Sequence, residues 1–96
     1  MSGWGSSFNL VREMDATKLR SNIIIDPQTG CWVWQRARDI HGYGKVNIGG
    51  HFYGAHRWHW IVVRGQIPDG RDLDHLCRNR ACIYLDHLEL VTPSEN

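Results

Sequence analysis

The sequence predicts a small α+β domain closed around a metal ion, and three observations predict it. Cys77, Cys82 and His87 follow one another with four residues in each gap, and His75 stands two places ahead of the first cysteine. Tyr43 to Tyr53 alternates in the manner of two short strands joined at Gly49-Gly50, a pair able to take positive φ, which is a two-residue hairpin signal. Ala55 to Arg64 has no internal breaker and is followed by Gly65, so it reads as a helix that packs on the hairpin.

The length of 96 residues allows one domain, and so short a chain buries a smaller fraction of its surface than a longer one does. A bound metal compensates for a thin core. Three cysteines cannot all pair with one another, and no apolar N-terminal run resembles a signal peptide, so thiolates on a metal in a reducing cytoplasm fit better than disulfides. A net charge of +1 does not argue for nucleic acid by itself, because eleven basic residues face ten acidic ones. No apolar stretch reaches the roughly 20 residues of a membrane helix.

The elements follow in order. Residues 1–22 read as a loose leader, Gly- and Ser-rich at first, with a possible short helix from Asp15. The main domain is expected over residues 23–96. Ile23-Ile24-Ile25 is β-branched and ends at the turn-forming Asp26-Pro27-Gln28-Thr29-Gly30. Cys31-Trp32-Val33-Trp34 suits a strand with both tryptophans on one face, and Gln35 to His41 suits an exposed loop. On the helix, Ala55, Trp58, His59 and Val62 share a face. Arg71 to Leu76 is extended, Leu88 to Val91 is short and apolar, and Thr92-Pro93-Ser94-Glu95 has the capping-box arrangement of a helix start.

Thiolate with imidazole is the ligand set zinc prefers, and the short polar loop Arg78-Asn79-Arg80-Ala81 lets two sulfurs reach one ion. Cys77, Cys82 and His87 supply three ligands of a structural site. Cys31 is the economical fourth, against the reading of Cys31 as a small buried residue beside tryptophans and of His75 as the ligand in its place. If His87 is on zinc, His75 is free to act as a general base near neutral pH. Asp74 offers a carboxylate and Asn96 an amide oxygen for a magnesium-like cation that binds phosphate oxygens. Together they would make a site for phosphodiester hydrolysis.

The string DHLCRNRAC…DHLELVTPSEN, with GCWVW and AHRW before it, resembles the HNH endonucleases of the His-Me finger superfamily, particularly small phage-type and intron-encoded homing enzymes. The resemblance covers roughly residues 30–96. It implies a zinc-stabilised ββα-metal finger that cleaves or nicks DNA with Mg2+ or Mn2+. It also implies His75 as general base, Asp74 and Asn96 as ligands of the catalytic cation, and Cys31, Cys77, Cys82 and His87 as the structural zinc set. Arg57, in the family-like AHR string, is expected near the scissile phosphate. Arg36, Arg38, Lys45, Arg64, Arg78 and Arg80 are further candidates for phosphate contacts, with DNA as partner and a homodimer possible. Trp32, Trp34, Trp58 and Trp60 are expected in the core rather than stacked on bases, and His41, His51 and His59 are expected to be structural or exposed.

Similar sequences carry Asn-Pro where this chain has Tyr84-Leu85, and they continue past the position of Asn96, where this sequence leaves a helix of one turn. These departures motivate an alternative reading, a zinc-stabilised DNA-binding module that has lost cleavage. A third, a zinc domain that binds protein, requires Asp74 and His75 to be incidental.

Overall fold

A computed structural model describes residues 16–92. Asp15, Asn96 and most of the capping-box segment lie outside the described residues. The description opens in a helix, α1, occupying residues 16–20, and Ala16 and Leu19 are buried in the main core with Trp34, Ala55, Val62 and Ile83.

β1 (Ile23–Ile25) and β2 (Trp32–Trp34) are antiparallel, with Ile24 opposite Val33. Their turn closes by a hydrogen bond from the Gly30 N–H to the Asp26 carbonyl at 2.7 Å, and Gly30 takes φ 75°. That backbone conformation suits glycine. It turns the chain directly into Cys31.

β3 (Lys45–Ile48) and β4 (His51–Gly54) pair in the register Ile48 opposite His51, so Gly49 and Gly50 are the two loop residues, at φ 60° and 89°. Positive φ at both positions is the hairpin turn whose twist matches that of the strands. β4 runs straight into α2 (Ala55–Arg64), whose last N–H bond is made by Gly65 to the Ile61 carbonyl. Tyr53 on the hairpin meets Trp58 on the helix, ring centroids 5.0 Å apart. The helix buries Ala55, His56, His59 and Val62. Trp58 is only half-buried, and His56 is the buried residue that helical spacing did not single out.

β5 (Asp72–His75) and β6 (Leu88–Val91) form the third antiparallel pair, Asp74 opposite Glu89 and His75 opposite Leu88. Leu73 and Leu88 join Ile67 and Leu85 in a second small core, with Trp60 and Ile61 of α2 packed against it. The helix is thus held from two sides. The long connection between β5 and β6 carries the cysteines and ends in the 3-10 turn Leu85–His87. It is fastened to β2, because Trp34 donates to the Ala81 carbonyl and Ile83 to that of Trp32, both at 2.8 Å. No helix among the described residues is long and apolar enough to cross a membrane.

Candidate metal centre and active site

The connection between β5 and β6 folds back on itself because of its own backbone. Arg78 takes a left-handed φ of 63° and donates its N–H to the His75 carbonyl, and Cys82 donates to the Asn79 carbonyl at 3.0 Å. The Asn79 side chain accepts from the Ala81 N–H at 3.0 Å, an Asx-type bond that makes the turn compact. Sequence reasoning passed over Asn79, although its residue type in a four-residue loop was a usable signal.

This turn, the 3-10 turn and the bridge to β2 bring Cys31, Cys77, Cys82 and His87 together. One ligand atom from each lies within 4.8 Å of all the others. Both Cys31 Sγ and Cys82 Sγ stand 3.6 Å from His87 Nδ1. A tetrahedral zinc with ordinary Zn–S and Zn–N bonds has an S···N edge of about 3.6 Å. The donor set therefore fits zinc in type, number and spacing, and could hold such an ion. Burial pushes the Cys82 thiol up to about 12 and raises the Cys77 thiol as well. An ion with two positive charges reverses that penalty by stabilising thiolates.

His75 is outside this group, so Cys31 rather than His75 completes the four. Its ring is buried, with Nε2 3.0 Å from the Cys82 carbonyl. A carbonyl only accepts, so Nε2 carries the proton and Nδ1 keeps the lone pair. The ring is consequently held in the tautomer a base needs. Burial lowers its pKa, against a raising influence from the Cys82 carbonyl and Asp74, so the ring is neutral near pH 7.

Strand alternation separates Asp74 from His75. His75 shares the buried face of β5 with Leu73, whereas Asp74 is half-buried opposite Glu89, with Arg78 Nη1 at 4.0 Å from its carboxylate. Against His75 lie two rings from elsewhere in the chain, Tyr43 at 5.8 Å and His56 at 4.6 Å between centroids. His56 comes from the AHRW string, which pointed only to Arg57.

The basic candidates divide by what holds them. Arg57 Nη1 pairs with Asp72 at 3.0 Å, Arg64 with Asp86 at 3.4 Å, and Arg38 donates to the Trp34 carbonyl at 2.7 Å. Arg80 donates to the His41 carbonyl at 3.0 Å and lies over the Tyr43 ring, beside the histidine cleft. Arg36 and Lys45, with Lys18, line a cavity of about 570 Å³ between α1, the Gln35–Ala37 turn and β3. Among the described residues no carboxylate lines it. His59 is structural, as expected: it is buried, its Nδ1 lies 2.6 Å from the Ile83 carbonyl, and its ring stacks on Trp32. His41 and His51 are exposed.

The family model described as HNH endonuclease matches residues 53–96, the stretch that holds α2, β5, the cysteine loop and β6. The chain belongs to the HNH endonuclease family. Three phage proteins are similar to it. The "Uncharacterized gene 5.3 protein" of Enterobacteria phage T3 is 39% identical over 70 residues, which is 66% of this chain and 69% of that protein. "Protein 2.8" of Escherichia phage T7 is 39% identical over 71% of this chain and 47% of its own length. "Protein 7.7" of the same phage is 32% identical over 69% of this chain and 51% of its own length. The HNH chain thus spans about half the length of the two T7 proteins. No solved structure matches it.

Proposed function

We propose that this chain is a divalent-metal-dependent DNA endonuclease or nickase with a structural zinc. The observation that carries the reading is the single available lone pair on His75, fixed by the Nε2 bond to Cys82 in a chain of the HNH family. Nδ1 takes the proton of a water as its oxygen attacks phosphorus, and the bond to the 3′ oxygen breaks. Asp74 and Asn96 would hold Mg2+ or Mn2+, which supplies positive charge for the leaving oxygen.

Cys31, Cys77, Cys82 and His87 hold the zinc, which fixes the carbonyl of Cys82 and through it the tautomer of His75. That link explains why a structural metal stands beside the base. Arg80 beside the cleft and the Lys18, Arg36 and Lys45 cavity are the cationic surfaces offered to the phosphate backbone. Arg57, Arg38, Arg78 and Arg64 are already engaged within the chain, as is Arg80 with the His41 carbonyl, so their phosphate contacts would require exchange of partners. One site per chain makes one nick, and a double-strand cut requires two copies. The phage relatives suit action in the cytoplasm of an infected cell.

Incubating zinc-loaded protein with supercoiled plasmid, with and without Mg2+ or Mn2+, tests the reading. Relaxed circles that form only with the added cation support it. Plasmid bound but never cut, with any cation, would favour the binding module that has lost cleavage.

A further inference from the structure

His56 is the second residue of α2, directly after Ala55, and it is only 7% exposed. Tyr43 stacks on its ring at 5.7 Å with 27° between planes, and His75 lies against it at 4.6 Å and 49°. Two imidazoles in contact cannot both be charged without repulsion, and general-base chemistry needs only one of them.

The two nitrogens of His56 are placed differently. Nδ1 is a buried atom without a partner among the described residues. A Cβ added at Gly54 would lie 3.0 Å from His56 Cε1 and 3.2 Å from Nδ1, so that edge is pressed on the Gly54 backbone. A buried N–H with no acceptor is rarer and costlier than a buried lone pair. Nδ1 therefore carries the lone pair and Nε2 the proton. Nε2, across Cε1 from Nδ1, is not one of the buried atoms left without a partner. Burial, with His75 and Arg57 adding to it, pushes the pKa down to about 3, so the ring is a fixed neutral donor across the working range of a nuclease. Neutral imidazole used as a hydrogen-bond donor toward developing negative charge is an established catalytic device.

We propose that His56 donates its Nε2–H to a non-bridging oxygen of the phosphodiester that His75 prepares water to attack, making it a catalytic residue beside the base. The inference rests on the nuclease reading. No proton is transferred from His56; the hydrogen bond stabilises charge that builds on the phosphoryl oxygens and relaxes when the 3′ oxygen leaves. Arg57, next in sequence, neutralises Asp72 at 3.0 Å and so keeps that carboxylate from repelling the phosphate.

The test compares wild type, His56→Phe, His56→Asn and His75→Ala for Mg2+-dependent plasmid nicking, with zinc content and melting temperature measured on each. His56→Phe keeps an aromatic ring between Tyr43 and His75 but has no donor. Its turnover at saturating DNA should fall about 100- to 1000-fold, with DNA affinity little changed. His56→Asn keeps an amide donor and should recover part of the loss. Nicking by His56→Phe at the wild-type rate overturns the proposal and leaves a packing role. Should His56→Phe fail to fold, His56→Ala, which has no donor, on substrates carrying sulfur in place of one non-bridging oxygen decides. Wild type should discriminate between the two sulfur positions and the variant should lose that discrimination, whereas equal discrimination in both overturns the proposal. A wild type that never nicks removes the nuclease reading and this inference together. Nicking that is lost in His75→Ala but intact in His56→Phe removes this inference alone.

Discussion

The cysteine loop and the histidine cleft share the β5–β6 hairpin, yet they are held by different forces. In the loop, four donor atoms converge within 4.8 Å, and an ion with high affinity can lock them. In the cleft, Tyr43, His56 and His75 are brought together by ring packing and one carbonyl bond, with no ion pair between them. With a metal bound the loop would serve stability, while burial of the cleft keeps its imidazoles neutral. Their meeting point is Cys82, whose sulfur joins the metal set and whose carbonyl fixes His75.

The largest expected effect separates the two regions outright. Removal of the metal by a chelator, or Cys82→Ser, should unfold the domain, because structural zinc contributes on the order of 10 kcal/mol in small domains. Circular dichroism with zinc titration checks it. A chelated protein that melts as before would break the contrast.

His59 sharpens it from the side of the scaffold. His59→Ala removes the bond to the Ile83 carbonyl and the stacking on Trp32, and should cost about 2–4 kcal/mol in denaturant unfolding. Zinc stoichiometry should be unchanged.

Acid should act on the cleft through His56. Its folded pKa of about 3 lies below the ordinary value near 6.5, so the unfolded chain binds a proton that the folded chain refuses. The folded state therefore loses stability as pH falls from about 6.5 toward 3, by at most about 1.4 kcal/mol per pH unit from this group, and gains nothing from it above that window. His56→Phe should flatten the slope relative to wild type in urea melts across about pH 4.5–6.5, a range within the span of those two pKa values. An unchanged slope would mean that the ring is not the group responsible.

The smallest effect is expected at Arg57. Its ion pair with Asp72 is exposed, so Arg57→Ala should change stability by less than about 1 kcal/mol. DNA binding measured against salt should show a slope reduced by about one if Arg57 exchanges Asp72 for a phosphate, and an unaltered slope if it does not.

What could be read from the sequence follows the same divide. Metal ligation requires several donors close together, and a loop can supply most of them locally, so Cys77, Cys82 and His87 declared themselves by spacing. Cys31 was reachable by elimination because only three cysteines exist. The Gly49-Gly50 hairpin, the helix ending at Gly65 and the extended segments at β5 and β6 were legible because each is a local choice of backbone. The cleft was not, because His56 and Tyr43 meet His75 only after the β3–β4 hairpin packs on the loop, and no periodicity records a contact between distant segments. Helical spacing placed Trp58 in the core, while the fold buries His56 more deeply, since Gly54 leaves room for its ring. The opposite orientation of Asp74 and His75 was available from strand alternation alone.

The most direct measurement takes His75→Ala and wild type through the same preparation and records zinc per chain and Mg2+-dependent plasmid nicking together. One zinc per chain is expected in both, with nicking by the variant reduced at least about 100-fold, the scale of a lost general base. Nicking at the wild-type rate by a variant that retains its zinc would contradict the role of His75 as the base.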